Sequence, residues 1–300
     1  MNFEIKPYDP SYIEQQVNLI WDVTESWRHE YQTSIESVTN AYNSDKFDPT
    51  TRFYAFEGKK MVGYVTSAIA EDKEKGKYGT MRFPVAVNND EEIIESLYQK
   101  VVDRFKELGI NRIRSFAGEG MGNTVELAEK FEFAQASLNF KRSKAKIDDL
   151  KLSGSVKGIM NFDDTHIAAI ENLFSMLYPP GFGGGIFRRA LANKERKDAL
   201  GENRTSWKLM KDEISVTGFS SLNRSDHNPL QGNMMPIFFR DIPQGLETMD
   251  KLLSAHVADM QPSGMTQIST FMGRENFRTE ELYNKLGFAF DGIFIYEKLL

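Results

Sequence analysis

Slid along itself by 154 or 155 positions, this chain of 300 residues meets its own pattern again, in order. Leu19 falls on Leu173, Gly63 on Gly218, Gly109 on Gly264 and Ile113 on Ile268. Thr124 falls on Thr279, Leu127 on Leu282 and Lys130 on Lys285. At a shift of 152, "RFPVAV" lies over "MPIFF", with Pro84 on Pro236. Single coincidences mean little. A colinear series whose small shifts fall in loops indicates one folding unit used twice. Such a chain must build two similar cores, and its length agrees with two domains of about 150 residues. The division expected is 1–147, a linker over the polar "DDLKLSGS" at 148–155, and 156–300.

Both copies carry the same order of elements. A short strand ("FEIKPY"; "VKGIMNF") leads into an amphipathic helix, where Ile13, Val17 and Ile20 share one face of "SYIEQQVNLIWDV". A second helical stretch follows. A hairpin pattern comes next, "RFYAFEGKKMVGYVTSAI" with a Glu-Gly turn, and "SWKLMKDEISVTGFSSL" turning at Lys211-Asp212. Then come a third strand (80–87; 233–239), a long helix (91–108; 244–260), a strand (111–116; 265–271), a short helix (123–131; 277–286) and two closing strands. The fold class is mixed α/β with a mixed sheet in each of two tandem units.

Composition removes several functions. No run of about 18 apolar residues exists, so no membrane span is expected. The opening "MNFEIKPYDP" is not a secretory signal, so the protein is expected in the cytoplasm. Without cysteine there are no disulfides, thiolate nucleophiles or Cys-ligated metals. The four histidines form no close pair, so no metal is expected. Residues 1–150 carry 20 basic and 25 acidic side chains, and residues 151–300 carry 17 and 18. Neither half is basic, which argues against nucleic acid as a partner.

The ending "NFRTEELYNKLGF" carries the most specific resemblance. With the order of elements, it resembles the GNAT family, the Gcn5-related acyl-CoA N-acyltransferases, over nearly the whole chain, twice. The matching positions are Asn276, Thr279, Leu282, Tyr283, Lys285, Gly287 and Phe288. The first copy departs from it: Met121 replaces the Asn, Ala128 the Tyr and Glu132 the Gly. The resemblance implies transfer of an acyl group, acetyl by preference, from acetyl-CoA to a primary amine on a small molecule or peptide. It implies Tyr283 as the acid that protonates the departing thiolate, and Asn276 as a contact to the CoA arm. The plain alternative for Tyr283 is an anchor for the last strands.

The family's phosphate loop uses a helix N-terminus, whose free N–H groups and dipole favour a pyrophosphate. Neither copy has its pattern. In "VAVNNDEEII", Asp90, Glu91 and Glu92 occupy the first turn and would repel an anion. In "FFRDIPQGLETMDKLL", the resemblance gives the cofactor role to Phe238, Phe239, Arg240, Gln244, Gly245 and Leu246. The same string also reads as a plain cap, with Asp241 capping and Pro243 in the first turn. The second copy is therefore the catalytic candidate. The first is scaffold, covering the acceptor site or making an interface, which leaves a homodimer open. The rival reading is a GNAT-shaped binding or regulatory protein without chemistry. No general base is selected, although His227 and His256 are available. "PPGFGGGIF" (179–187), with Phe182 and Phe187, reads as a glycine-rich lid or a plain connector, and the Met cluster as core filler.

Overall fold

The computed structural model describes residues 3–29, 33–45, 47–72, 76–178, 182–199, 204–225, 228–240 and 243–300, with the backbone alone at 182–184. Contacts divide the chain into two units, Met1–Phe140 with Asp291–Leu300, and Lys141–Phe290.

The first unit opens with β1 (Glu4–Pro7), α1 (Ile13–Thr24) and α2 (Ile35–Tyr42). The hairpin β2 (Arg52–Glu57) and β3 (Lys60–Asp72) follows, then β4 (Gly76–Met81) and a two-residue β5 (Val85–Ala86). The unit continues through α3 (Glu91–Glu107), β6 (Arg112–Gly118) and α4 (Thr124–Lys130) into β7 (Ala134–Lys146), whose last residues belong to the second unit. The second unit repeats the series. Its elements are β8 (Ile159–Asn161), α5 (Ile167–Leu177), α6 (Phe182–Asp198), β9 (Thr205–Lys211), β10 (Val216–Arg224), β11 (Gln231–Met234), β12 (Phe238–Phe239), α7 (Gly245–Met260), β13 (Gln267–Gly273) and α8 (Glu280–Lys285). The last strand, β14 (Asp291–Leu299), pairs antiparallel with β6 and so completes the first unit.

The strand orders match. In the first unit β1-β2-β3-β4 is antiparallel throughout and β4 runs parallel to β6. In the second, β8-β9-β10-β11 is antiparallel and β11 runs parallel to β13. Each unit buries one apolar cluster on each face of its sheet. Leu97, Val101 and Phe105 of α3 pack on one face of the first sheet, and Leu19 and Ile20 of α1 on the other. In the second unit Met249, Leu252 and Leu253 of α7 take one face, and Ile170, Leu173 and Phe174 of α5 the other.

The duplication extends to single contacts. A Cβ on Gly63 would lie 2.6 Å from Ile93 Cγ2 and 3.2 Å from Leu97 Cδ1. On Gly218 it would lie 2.6 Å from Thr248 Cγ2 and 3.3 Å from Leu252 Cδ1. Every one of these residues is displaced by the same 155 positions. The glycines let the long helix sit close on the central strand. We expect Gly218→Ala to lower the unfolding free energy by about 1–3 kcal/mol through overpacking, measured in urea. An unchanged midpoint would mean that α7 can move away freely.

Three expectations need correction. The third strand of each copy is not continuous. It breaks before Val85 and again between Met234 and Phe238, where proline cannot donate to the ladder. Each copy does not keep two closing strands, because β7 runs straight through and β14 goes to the first unit. The contact boundaries also differ from the expected 147/156 division. The stretch expected as a linker, 148–155, is tied down in the second unit: Lys151 N–H donates to Leu286 O and Ser153 N–H to Asp250 Oδ1.

Candidate active site

In the second unit, β11 and β13 stay paired from Gln231↔Gln267 to Met234↔Thr270. Beyond that pair the chain turns at Met235-Pro236 and resumes as β12 against β10, through Phe219↔Phe238 and Gly218↔Phe239. The two neighbours of the parallel ladder therefore separate, and the backbone of Ile237 lies in the gap.

Tyr283 reaches this gap from α8. Its hydroxyl accepts a hydrogen bond from Ile237 N–H at 2.7 Å, and its ring meets Phe288 and Phe290 edge-on, both at 5.5 Å. The residue is 1% exposed. Burial raises the pKa of its phenol, and the Ile237 N–H partly offsets this. The hydroxyl is thus protonated at neutral pH, and an acceptor bond already occupies its oxygen. Ala128, the residue 155 positions earlier, is fully buried and carries no such group.

The two long helices begin differently. Asp90 caps α3 by accepting from Ile93 N–H at 3.1 Å, with Glu91 and Glu92 in the first turn. α7 starts at Gly245 with Gln244 as its N-cap residue and no side-chain cap hydrogen bond. Pro243 precedes the cap and is not in the first turn, and Asp241 lies outside the described residues. The only acid in that turn, Glu247, forms an ion pair with Lys251 at 2.5 Å.

The fold has close counterparts among solved structures. A tandem GNAT protein from the clavulanic acid biosynthesis pathway superposes with a TM-score of 0.65 and 12% identity, over 99% of this chain and 98% of that one. The fold is the tandem GNAT fold. A GCN5-related N-acetyltransferase from Sphaerobacter thermophilus gives 0.57 at 11% identity, over 99% and 96%. An N-myristoyltransferase from Saccharomyces cerevisiae, with bound myristoyl-CoA and inhibitors, gives 0.50 at 10%, over 99% and 81%. No family model and no curated protein sequence matches the chain. At these identities the likeness is one of architecture.

Within this GNAT fold the expected site residues fall into three groups. Tyr283, Phe238 and Asn276 gather around the gap through Tyr178, whose ring lies 6.0 Å from Phe238 and whose hydroxyl accepts from Asn276 Nδ2 at 3.2 Å. Gln244 and Leu246 are exposed at the start of α7. Phe239, Gly245 and Arg240 have structural duties. Phe239 is buried in the α7 cluster. A Cβ on Gly245 would sit 2.5 Å from Phe239 Cε2 and 3.0 Å from Leu282 Cδ1. Close packing therefore explains this glycine, and no left-handed turn is involved. Arg240 donates to Asp212 Oδ2 at 2.6 Å and Ser215 Oγ at 2.7 Å. Asp212 is a turn residue, held down to about 2 by the N–H groups of Ile214 and Ser215 and then by Arg240.

His256 is not placed as a base. It is fully buried, with Nε2 2.6 Å from Ser220 Oγ and Nδ1 2.8 Å from Ser206 Oγ. His227 lies outside the described residues. In the supposed lid, 179–181 also lie outside them, as does the side chain of Phe182. From Phe182 onward the run is already α6, and Phe187 is a core residue 5.7 Å from Phe174. Ile237 and Tyr178 were not foreseen. Pro236 was the available signal for Ile237, since a proline within a strand pattern marks a break. Among the described residues no group of three or more acidic or histidine side chains could hold a metal, and no helix is long and apolar enough to cross a membrane.

Proposed function

We propose that this protein transfers an acyl group from CoA to a primary amine, with the chemistry in the second unit. The observation that carries the reading is the pairing of Tyr283 with Ile237 N–H in the strand gap. The uncapped start of α7 and the carboxylate-closed start of α3 support placing the chemistry there. An unblocked helix N-terminus suits an anion, whereas Asp90, Glu91 and Glu92 do not. The residues fit an acyl-CoA with two changes of role. Arg240 is held by Asp212, and Gly245 serves packing.

When bound, acyl-CoA supplies the acyl group activated as a thioester. Tyr283 then holds a proton at its phenolic oxygen for the departing sulfur. Ile237 N–H, already donating to that oxygen, stabilises it as the proton leaves. Asn276 orients through Tyr178, and the Phe288 and Phe290 rings keep water from the phenol. Acetyl is the preferred acyl group, and the acceptor is a small molecule or peptide amine.

Titration calorimetry with acetyl-CoA tests the reading. We expect micromolar binding, weakened about tenfold or more by Leu246→Glu, which puts a carboxylate at the exposed first turn of α7. Gly245→Glu would collide with Phe239 and confound folding with binding. Absence of binding at millimolar acetyl-CoA would sink the proposal.

A further inference from the structure

Thr270 is a polar residue in an apolar place. On β13 the residues two before and two after it, Ile268 and Met272, are fully buried in the cluster that holds Tyr283. Its partner across the ladder, Met234, belongs to the same cluster. Side chains two apart on a strand, and those paired across it, point to one face, so Thr270 stands on this face as well. Thr270 is 2% exposed, and its hydroxyl is buried with no hydrogen-bond partner among the described residues. Valine would fill the same β-branched space without an unsatisfied hydroxyl. A hydroxyl kept in that state calls for an explanation.

The end of the ladder supplies one. Met234↔Thr270 is its last rung, and just past Met234 the Ile237 N–H holds the Tyr283 hydroxyl at 2.7 Å. Among the described residues that hydroxyl accepts this one bond and donates none. The Thr270 hydroxyl is near enough to act on the phenol. Burial raises the phenol's pKa most, and the Ile237 N–H and then the Thr270 hydroxyl lower it. Yet no hydrogen bond closes between the two hydroxyls in the resting site. Each has capacity that the other can use. A neutral phenol demands little of its neighbours, whereas a buried phenolate demands donors. The first copy offers a control. Ser115, 155 positions before Thr270, is also buried with an unpartnered hydroxyl, but its copy has Ala128 in place of the tyrosine.

We infer that Thr270 is a positioning residue of the acyl-transfer site, whose hydroxyl turns to donate to the Tyr283 oxygen when the phenol gives up its proton. The inference rests on the acyl-transfer reading for the moment at which that proton leaves. In that step the Tyr283 O–H bond breaks and an S–H bond forms on the departing CoA thiolate, leaving a phenolate. The proton shed by the attacking nitrogen returns to the phenolate through solvent, so nothing further is consumed. Ile237 N–H is the first donor to the new charge and the Thr270 O–H the second, as in an oxyanion hole. The backbone N–H is fixed in place, while the hydroxyl can rotate to follow the charge.

Two readouts on the full chain test this. The first replaces Tyr283 by difluorotyrosine, whose electron-poor phenol ionises well below tyrosine, and follows its absorbance against pH. Thr270→Val should raise that pKa by about one unit or more, the weight of one hydrogen bond to a charged oxygen. Thr270→Ser should restore it. The second readout is CoA release from acetyl-CoA with glycinamide as the amine, detected by a thiol reagent, to which the cysteine-free chain is silent. Thr270→Val should lower kcat about tenfold or more with KM for acetyl-CoA within about threefold, and should cost nothing further in a Tyr283→Phe background. Its melting temperature should stay equal or rise, because a buried unpartnered hydroxyl is removed. Ser115→Ala should leave both readouts unchanged. A phenol pKa indifferent to Thr270→Val, or a Ser115→Ala protein that loses as much turnover as Thr270→Val, would overturn the inference. Turnover that falls in Tyr283→Phe but not in Thr270→Val sinks only the role of Thr270. A raised phenol pKa in a protein that neither binds acetyl-CoA nor releases CoA from it sinks only the acyl-transfer reading.

Discussion

Tyr283→Phe lowers kcat for acyl transfer by about a hundredfold or more, the range of a lost general acid. Acetyl-CoA affinity stays within a few-fold, because the ring and its contacts to Phe288 and Phe290 remain. The same substitution removes the acceptor of Ile237 N–H, so the unfolding free energy falls by about 1–3 kcal/mol. Urea unfolding at the assay temperature must therefore accompany the kinetics. A folded variant with undiminished turnover would remove Tyr283 from the chemistry and leave it as an anchor. The pH dependence adds a second check. Because burial raises the phenol's pKa above its unfolded value, its contribution to stability is complete below that value, near pH 10, and is lost as pH rises beyond it. No alkaline limb below about pH 10 should therefore trace to Tyr283.

The largest stability effect is expected at acid pH, from His256. Burial, then the nearby Lys208, hold its imidazole down to about 3, against the ordinary 6.5. Folding thus favours the neutral ring, which bridges Ser220 of β10 and Ser206 of β9 from α7. Stability from this site is complete above about pH 6.5 and is lost as pH falls toward 3. The steepest slope for one proton is about 1.4 kcal/mol per pH unit. His256→Gln, which cannot titrate, should be less stable than wild type at pH 7 by about 2–4 kcal/mol, through lost hydrogen bonds and imperfect packing. The gap between the two proteins should close as the pH is lowered. Parallel stability curves from pH 7 to 4 would refute this assignment.

Much of the fold could be read from letters because duplication writes the same physical demand twice. Gly63 and Gly218 are glycine for one reason, the close approach of α3 and α7. Gly287 and Glu132, again 155 positions apart, both take positive φ, 98° and 58°. There the sequence difference hid a backbone that did not change. Other features have no letter. Ile237 matters through its N–H, which any residue but proline would supply. Gly245 looked like a phosphate-loop glycine, yet the Phe239 ring sets its size. The glycine-rich run at 182–185 begins a helix despite its composition, because Ile186 and Phe187 pack into the core. The partner edge of the last strand was equally hidden, since alternation marks a strand without saying which neighbour it joins.

That last strand has a consequence for how the protein is made. Residues 291–300 complete the unit built from residues 1–140, but the ribosome delivers them only after the 150 residues of the second unit. At 5–20 residues per second this is a wait of roughly 8 to 30 s. During that interval the edge of β6 lacks its partner, the condition under which strands recruit wrong neighbours. Vectorial synthesis therefore cannot finish the first half first. The later half matures ahead of it, and the nascent chain's first-made portion is the one most in need of chaperone cover.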